Sequence, residues 1–139
     1  MSGVGWQPIF APMGAMALLT FTVLLIVPVV RLRAVLRGAL RVDDFRAGEP
    51  ADAPAWVSIP NRNYMNLLEL PTLFYAICLM FALSGAAPDA ALRLAWGYVA
   101  LRALHSAIHL TVNHVPLRLA AFALGNAVLA ALWGLFFAS

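Results

Sequence analysis

The sequence predicts an all-α integral membrane protein, a four-helix transmembrane bundle running up-down-up-down. Three observations predict it. The chain has 139 residues, 63% hydrophobic and only 11% charged, with a mean hydropathy of +0.87, which leaves too little polar surface to cover a water-soluble domain. Its apolar residues gather in four stretches, roughly 9–30, 64–83, 94–112 and 117–138, each near the ~20 residues that a helix needs to cross the hydrocarbon layer. All nine basic residues are arginine, and Arg31, Arg33, Arg37, Arg41, Arg46 and Arg62 lie between or beside the first two stretches. By the positive-inside rule that connection is cytoplasmic and both termini lie outside. The pI near 9.8 then reflects topology and anionic head groups, and no nucleic-acid partner is implied.

The elements follow in order within a single domain. A lead-in with Gly3, Gly5, Pro8 and Pro12 precedes a first span over 9–37, in which Pro28 predicts a kink. This stretch lacks a basic start, is long for a secretory signal and runs into Arg31, Arg33 and Arg37 instead of a cleavage site, so it reads as a retained span. Residues 38–59 carry Gly38, Asp43, Asp44, Gly48, Pro50, Asp52 and Pro54 and read as a cytoplasmic loop. The second span covers 60–83. Pro60 suits its first turn, whereas Pro71 lies deeper and frees a backbone carbonyl around Leu67. The connection from Ser84 to Asp89, which includes Ala86, leads to a third span over 90–112. Residues 112–116 form a second cytoplasmic loop before the last span, 116–138. Cys78 stands alone in an apolar run, so no disulfide forms within the chain and a structural zinc cluster has no thiolates to use.

Two spans carry polar faces. Arg62, Asn66 and Glu69 recur at i, i+4 and i+7, and Arg102, His105 and His109 at i, i+3 and i+7, so each set lines one side of its own helix. With neighbouring helices antiparallel, both sets approach the cytoplasmic end and can meet at one level. Ionisable groups inside spans are costly, which makes them functional candidates. One reading is structural: Glu69 pairs with Arg102 or Arg62, and Asn66 and the histidines bond between helices. Another is an anion site, because Arg62, Arg102, Arg118 and Arg31 outnumber the one buried acid, Glu69. Guanidinium forks hold carboxylates and Glu69 can take an ammonium, which suits a zwitterionic peptide with excess carboxylates. His105 and His109 sit on one helical face as a metal pair would, but no third ligand stands at useful spacing, so no metal is assigned.

These residues resemble the MAPEG family, the membrane-associated proteins in eicosanoid and glutathione metabolism. The resemblance rests on Arg62-x-x-x-Asn66-x-x-Glu69, Val30-Arg31-Leu32-Arg33, Arg102-x-x-His105-Ser106 and Pro116-x-Arg118, and covers nearly the whole chain. Microsomal prostaglandin E synthases within the family are similar in this order and spacing. The resemblance implies a homotrimer of four-helix protomers that binds glutathione as co-substrate between subunits on the cytoplasmic side. It implies that Arg62, Asn66, Glu69, Arg102, His105 and the adjoining Ser106 hold the tripeptide, that Arg31 lies near it, and that Arg118 stabilises the thiolate.

The chain departs from that pattern at His109 and Phe122, where the enzymes commonly carry tyrosine, and at Leu119, where the prostaglandin synthase has serine. A neutral His109 could still accept a proton, and one arginine can stabilise a thiolate by charge. The leading expectation is therefore a glutathione transferase or peroxidase acting on lipophilic electrophiles that arrive through the bilayer, with Arg118 and His109 as catalytic candidates. A non-catalytic lipid- or ligand-binding scaffold on the same trimer is the alternative. A small multidrug transporter cycling a proton on Glu69 ranks below both, because neighbouring arginines hold that acid ionised.

Overall fold

The computed structural model describes residues 5–85 and 87–138; Gly3 and Ala86, named above, lie outside them. The described residues form five α-helices and one 3-10 turn: α1 (Phe10–Leu36), the turn (Val42–Phe45), α2 (Ala55–Leu68), α3 (Pro71–Leu83), α4 (Asp89–Leu110) and α5 (Val115–Ala138). No strand occurs among them. Three segments are long and apolar enough to cross a membrane: α1, α2 with α3, and α5. At 22 residues α4 reaches ~33 Å at the helical rise, but Asp89, Arg93 and Arg102 dilute its apolar character.

The second predicted span differs from expectation in two ways. It starts at Ala55 instead of residue 60, because the Pro54 carbonyl accepts from Val57 and Ser58 and opens the first turn before Pro60. It also breaks at Glu69, where ψ turns to −97°. Pro71 supplies no N–H, so the Leu67 carbonyl loses its helical donor and a new helix starts with Pro71 in its first turn. The break divides a polar half, α2, from an apolar half, α3. Replacing Pro71 with alanine restores one helix hydrogen bond and is expected to stabilise the bundle by up to ~3 kcal/mol. A higher melting temperature in detergent checks this; an unchanged one would mean that packing alone sets the break.

α2 and α4 run antiparallel, with Ser106 of α4 beside Asn63 of α2 and Arg102 beside Asn66. Successive turns of α4 bury Ala91, Ala95, Tyr98, Arg102, His105 and His109, and α5 offers it a seam of Ala121, Gly125, Leu129 and Leu132. The small residues let the two backbones approach. A Cβ at Gly125 would meet Arg102, Leu101 and Tyr98 at ordinary contact distances. At the opposite end from the arginine-rich loop, Gln7 Nε2 donates to the Ala82 carbonyl at 2.8 Å and ties the start of the chain to the end of α3.

The loop between α1 and α2 folds back on the bundle. Its Leu40 packs with Ala34 of α1 and Val57 of α2, and Phe45 leans on this small core. Asp44 accepts from the Arg41 N–H at 2.7 Å and closes the 3-10 turn. Arg31 pairs with Glu49 at 2.9 Å and lies over the Phe45 ring at 5.1 Å. Arg37 lies over Trp56 at 5.8 Å.

Candidate functional site

The two polar faces meet. Arg102 is fully buried and donates through Nη2 to the Asn66 carbonyl at 2.5 Å. That carbonyl belongs to the last turn of α2, where helices run out of their own donors. One turn along, Ser106 Oγ donates to Asn63 Oδ1 at 3.2 Å, both side chains being buried. α2 and α4 are thus cross-linked twice by polar groups in the bundle interior. The burial of Arg102 without a carboxylate within ion-pair distance is costly. Two aromatic faces partly offset that cost, Phe122 at 5.6 Å and Tyr98 at 5.9 Å.

α5 delivers the third part. Asn113, at φ +46°, takes the left-handed conformation that asparagine tolerates better than most residues, and its N–H closes back on the Ile108 carbonyl at 2.7 Å. Its Oδ1 accepts from Arg118 Nη1 at 2.6 Å. The Arg118 guanidinium is therefore aimed by a loop residue five positions earlier. The Arg118 backbone carbonyl accepts from His105 Nδ1 at 3.1 Å.

Around these residues open two adjoining clefts. One, about 350 Å³, is walled by Arg62, Asn66, Glu69, His109, Asn113 and Arg118 among others. The second, about 240 Å³, sets His105, Asn66 and Arg118 against Val115, Leu119 and Phe122. Asn66 and Arg118 stand in the walls of both. The first cleft is polar; the second has polar groups on one side and an apolar wall on the other.

The sequence-predicted residues thus separate into three sets. Arg62, Asn66, Glu69, His105, His109 and Arg118 line the clefts. Arg102 and Ser106 stand behind them and line neither, since both are buried between helices. Arg31 lies elsewhere, held by Glu49 of the loop. Glu69 was expected to be a buried acid, paired with Arg102 or Arg62 in the structural reading and free for an ammonium in the other. It is exposed, and the ion pairs among the described residues are Arg31–Glu49 and Arg46–Asp43 instead. Glu69 follows Arg62, seven residues earlier and also exposed, on the outward side of α2, whereas Asn63 and Leu67 face the interior.

Asn63 and Asn113 were not anticipated. Asn63 stands three residues before Asn66, on a neighbouring position of the same face, but the pattern beginning at Arg62 passed over it. The signal for Asn113 was its place in a short helix–helix connection ahead of Pro116, where a left-handed residue commonly ends a helix. No group of three or more His, Cys, Asp or Glu side chains with metal-binding placement occurs among the described residues.

Fold and recess together define a helical membrane protein with an arginine-bearing polar site at one end of its bundle. The chain belongs to the MAPEG family, whose model matches residues 9–138. Comparison with curated proteins and with solved structures gave no match.

Proposed function

We propose that the protein binds glutathione in the polar cleft and joins its sulfur to, or uses it to reduce, lipophilic electrophiles held in the adjoining cleft. The observation that carries this reading is the placement of Arg118 in the walls of both clefts. A thiolate beside that guanidinium faces the apolar wall formed by Val115, Leu119 and Phe122, where an electrophile partitioned from the bilayer can lie. Charge supports the occupant of the polar cleft. Arg62 offers a cation for a carboxylate and Glu69 an anion for the ammonium of the tripeptide, which leaves the Arg118 charge for its sulfur. Family membership is consistent with glutathione-related chemistry.

The same reading makes α4 the fourth span, its polar face shielded by α2 and α5, and makes the arginine-rich end cytoplasmic with both termini outside. It also includes a homotrimer. Arg62 and Glu69 lie exposed on the side of the single protomer, and a second copy over that face would shield them from lipid. The reading does not extend to the substrate of the microsomal prostaglandin E synthases, because Leu119 and Phe122 stand where that branch carries serine and tyrosine.

Calorimetric titration of the detergent-purified protein with glutathione tests the reading. Binding in the wild type that is lost in an Arg62→Ala, Glu69→Ala variant is expected. Equal binding in both would remove the tripeptide from this cleft. Saturable binding with no thiol consumption across a panel of electrophiles would select the non-catalytic scaffold.

A further inference from the structure

His105 differs from the other polar residues of the recess in having its proton position dictated by the backbone. A carbonyl oxygen only accepts hydrogen bonds, so the 3.1 Å contact with the Arg118 carbonyl places a proton on Nδ1. In the neutral ring Nε2 is then a lone-pair acceptor. That atom is buried and has no hydrogen-bond partner, while the ring itself lines the cleft with Arg118, Asn66, Leu119 and Phe122. The rings of Phe122 and His109 both pack with their centroids 5.8 Å from that of His105. A buried acceptor without a donor is costly in an apolar interior, and it is where an arriving hydrogen-bond donor gains most.

We infer that His105, and not His109, is the proton acceptor for the substrate thiol, with Nε2 receiving the sulfur-bound proton while the Arg118 guanidinium takes the thiolate. This rests on the glutathione reading above. One residue then serves twice: the Arg118 carbonyl sets the tautomer of the base, and its guanidinium, aimed by Asn113, stands by the sulfur. His109 lacks such a device, because its Nδ1 is buried with no partner to set the tautomer.

The step balances within the recess. The S–H bond breaks and its proton moves to Nε2; the sulfur pair forms an S–C bond with the β-carbon of an activated alkene. The alkene π pair moves to the α-carbon, which recovers the proton from Nε2–H. Transfer creates a thiolate and an imidazolium together, so no net charge is added among the groups that face the ring. Those groups are Arg102 and His109 on α4, Arg118 on α5, and Asn66 with the nearby Glu69 on α2.

The test reads the ultraviolet thiolate absorbance of bound glutathione against pH in the full-length protein, with turnover of an α,β-unsaturated ketone. His105→Asn keeps a side-chain N–H where Nδ1 stood and removes the Nε2 acceptor, and calorimetric binding reports that the variant still folds. Wild type is expected to show thiolate near neutral pH. In His105→Asn the signal is expected only at higher pH, with turnover lowered about 10²-fold, the range for a lost general base. Binding with wild-type thiolate signal and rate in His105→Asn would overturn the assignment. Loss confined to His109→Asn would transfer the role to that residue. A wild type that binds no glutathione would remove the underlying reading instead.

Discussion

Replacing Arg118 by glutamine is expected to lower conjugation by about 10²–10³-fold, the range seen when one fixed donor is removed from a developing anion, while glutathione still binds. Glutamine can keep a contact with Asn113 but carries no charge for the thiolate. The geometry explains why binding survives. Arg62, Asn66 and Glu69 remain in the wall of the polar cleft, and the backbone carbonyl that orients His105 is untouched by the substitution. Steady-state rates and calorimetric affinities measured together check the split. Unchanged turnover would take Arg118 out of the chemistry, and lost affinity at unchanged turnover would make it a binding group only.

Arg102→Met is expected to leave the melting temperature equal or higher while weakening glutathione about tenfold, or ~1.4 kcal/mol. The reasoning weighs two terms. The guanidinium gives the Asn66 carbonyl a charge-assisted hydrogen bond, typically worth about 1.5–3 kcal/mol. Against it stands a fully buried cation with Nε and Nη1 unpartnered, and removing an unpaired buried charge commonly returns several kcal/mol. Asn66 loses its rear anchor in the variant, and with it the shape of a wall shared by both clefts. Arg102 acts here as a positioning residue. If it instead met a tripeptide carboxylate directly, the loss of affinity would disappear for glutathione amidated at that carboxylate. If it acts through Asn66, amidated and unmodified peptides lose alike.

Much of this arrangement was legible because membrane spans make polar residues conspicuous. In a chain with so few charges, Arg62, Asn66 and Glu69 at helical spacing could be matched with Arg102, His105 and His109 from periodicity and antiparallel order alone. What periodicity does not contain is the distinction between lining a cleft and standing behind it. Arg102 and His105 lie three residues apart on one face, yet one reaches a backbone carbonyl in the interior and the other borders an opening. Glu69 shows a second limit. The spacing puts Glu69 on one side with Arg62, but spacing alone does not say that this side faces outward while Asn63 and Leu67 face the interior. Arg31 shows a third, since its partner Glu49 is separated by eighteen positions across an irregular loop where no spacing rule applies.

The wall that the two clefts hold in common, Asn66 and Arg118, makes their occupants thermodynamically inseparable. Whatever settles in the polar recess alters the charge and orientation of groups that the apolar recess presents, and linkage requires the reverse influence to be of equal size. An anion in the first spends the Arg118 charge that would otherwise draw an anionic amphiphile into the second. Such neutralisation acts as a filter: the empty protein is open to anionic amphiphiles, whereas the loaded one favours uncharged guests.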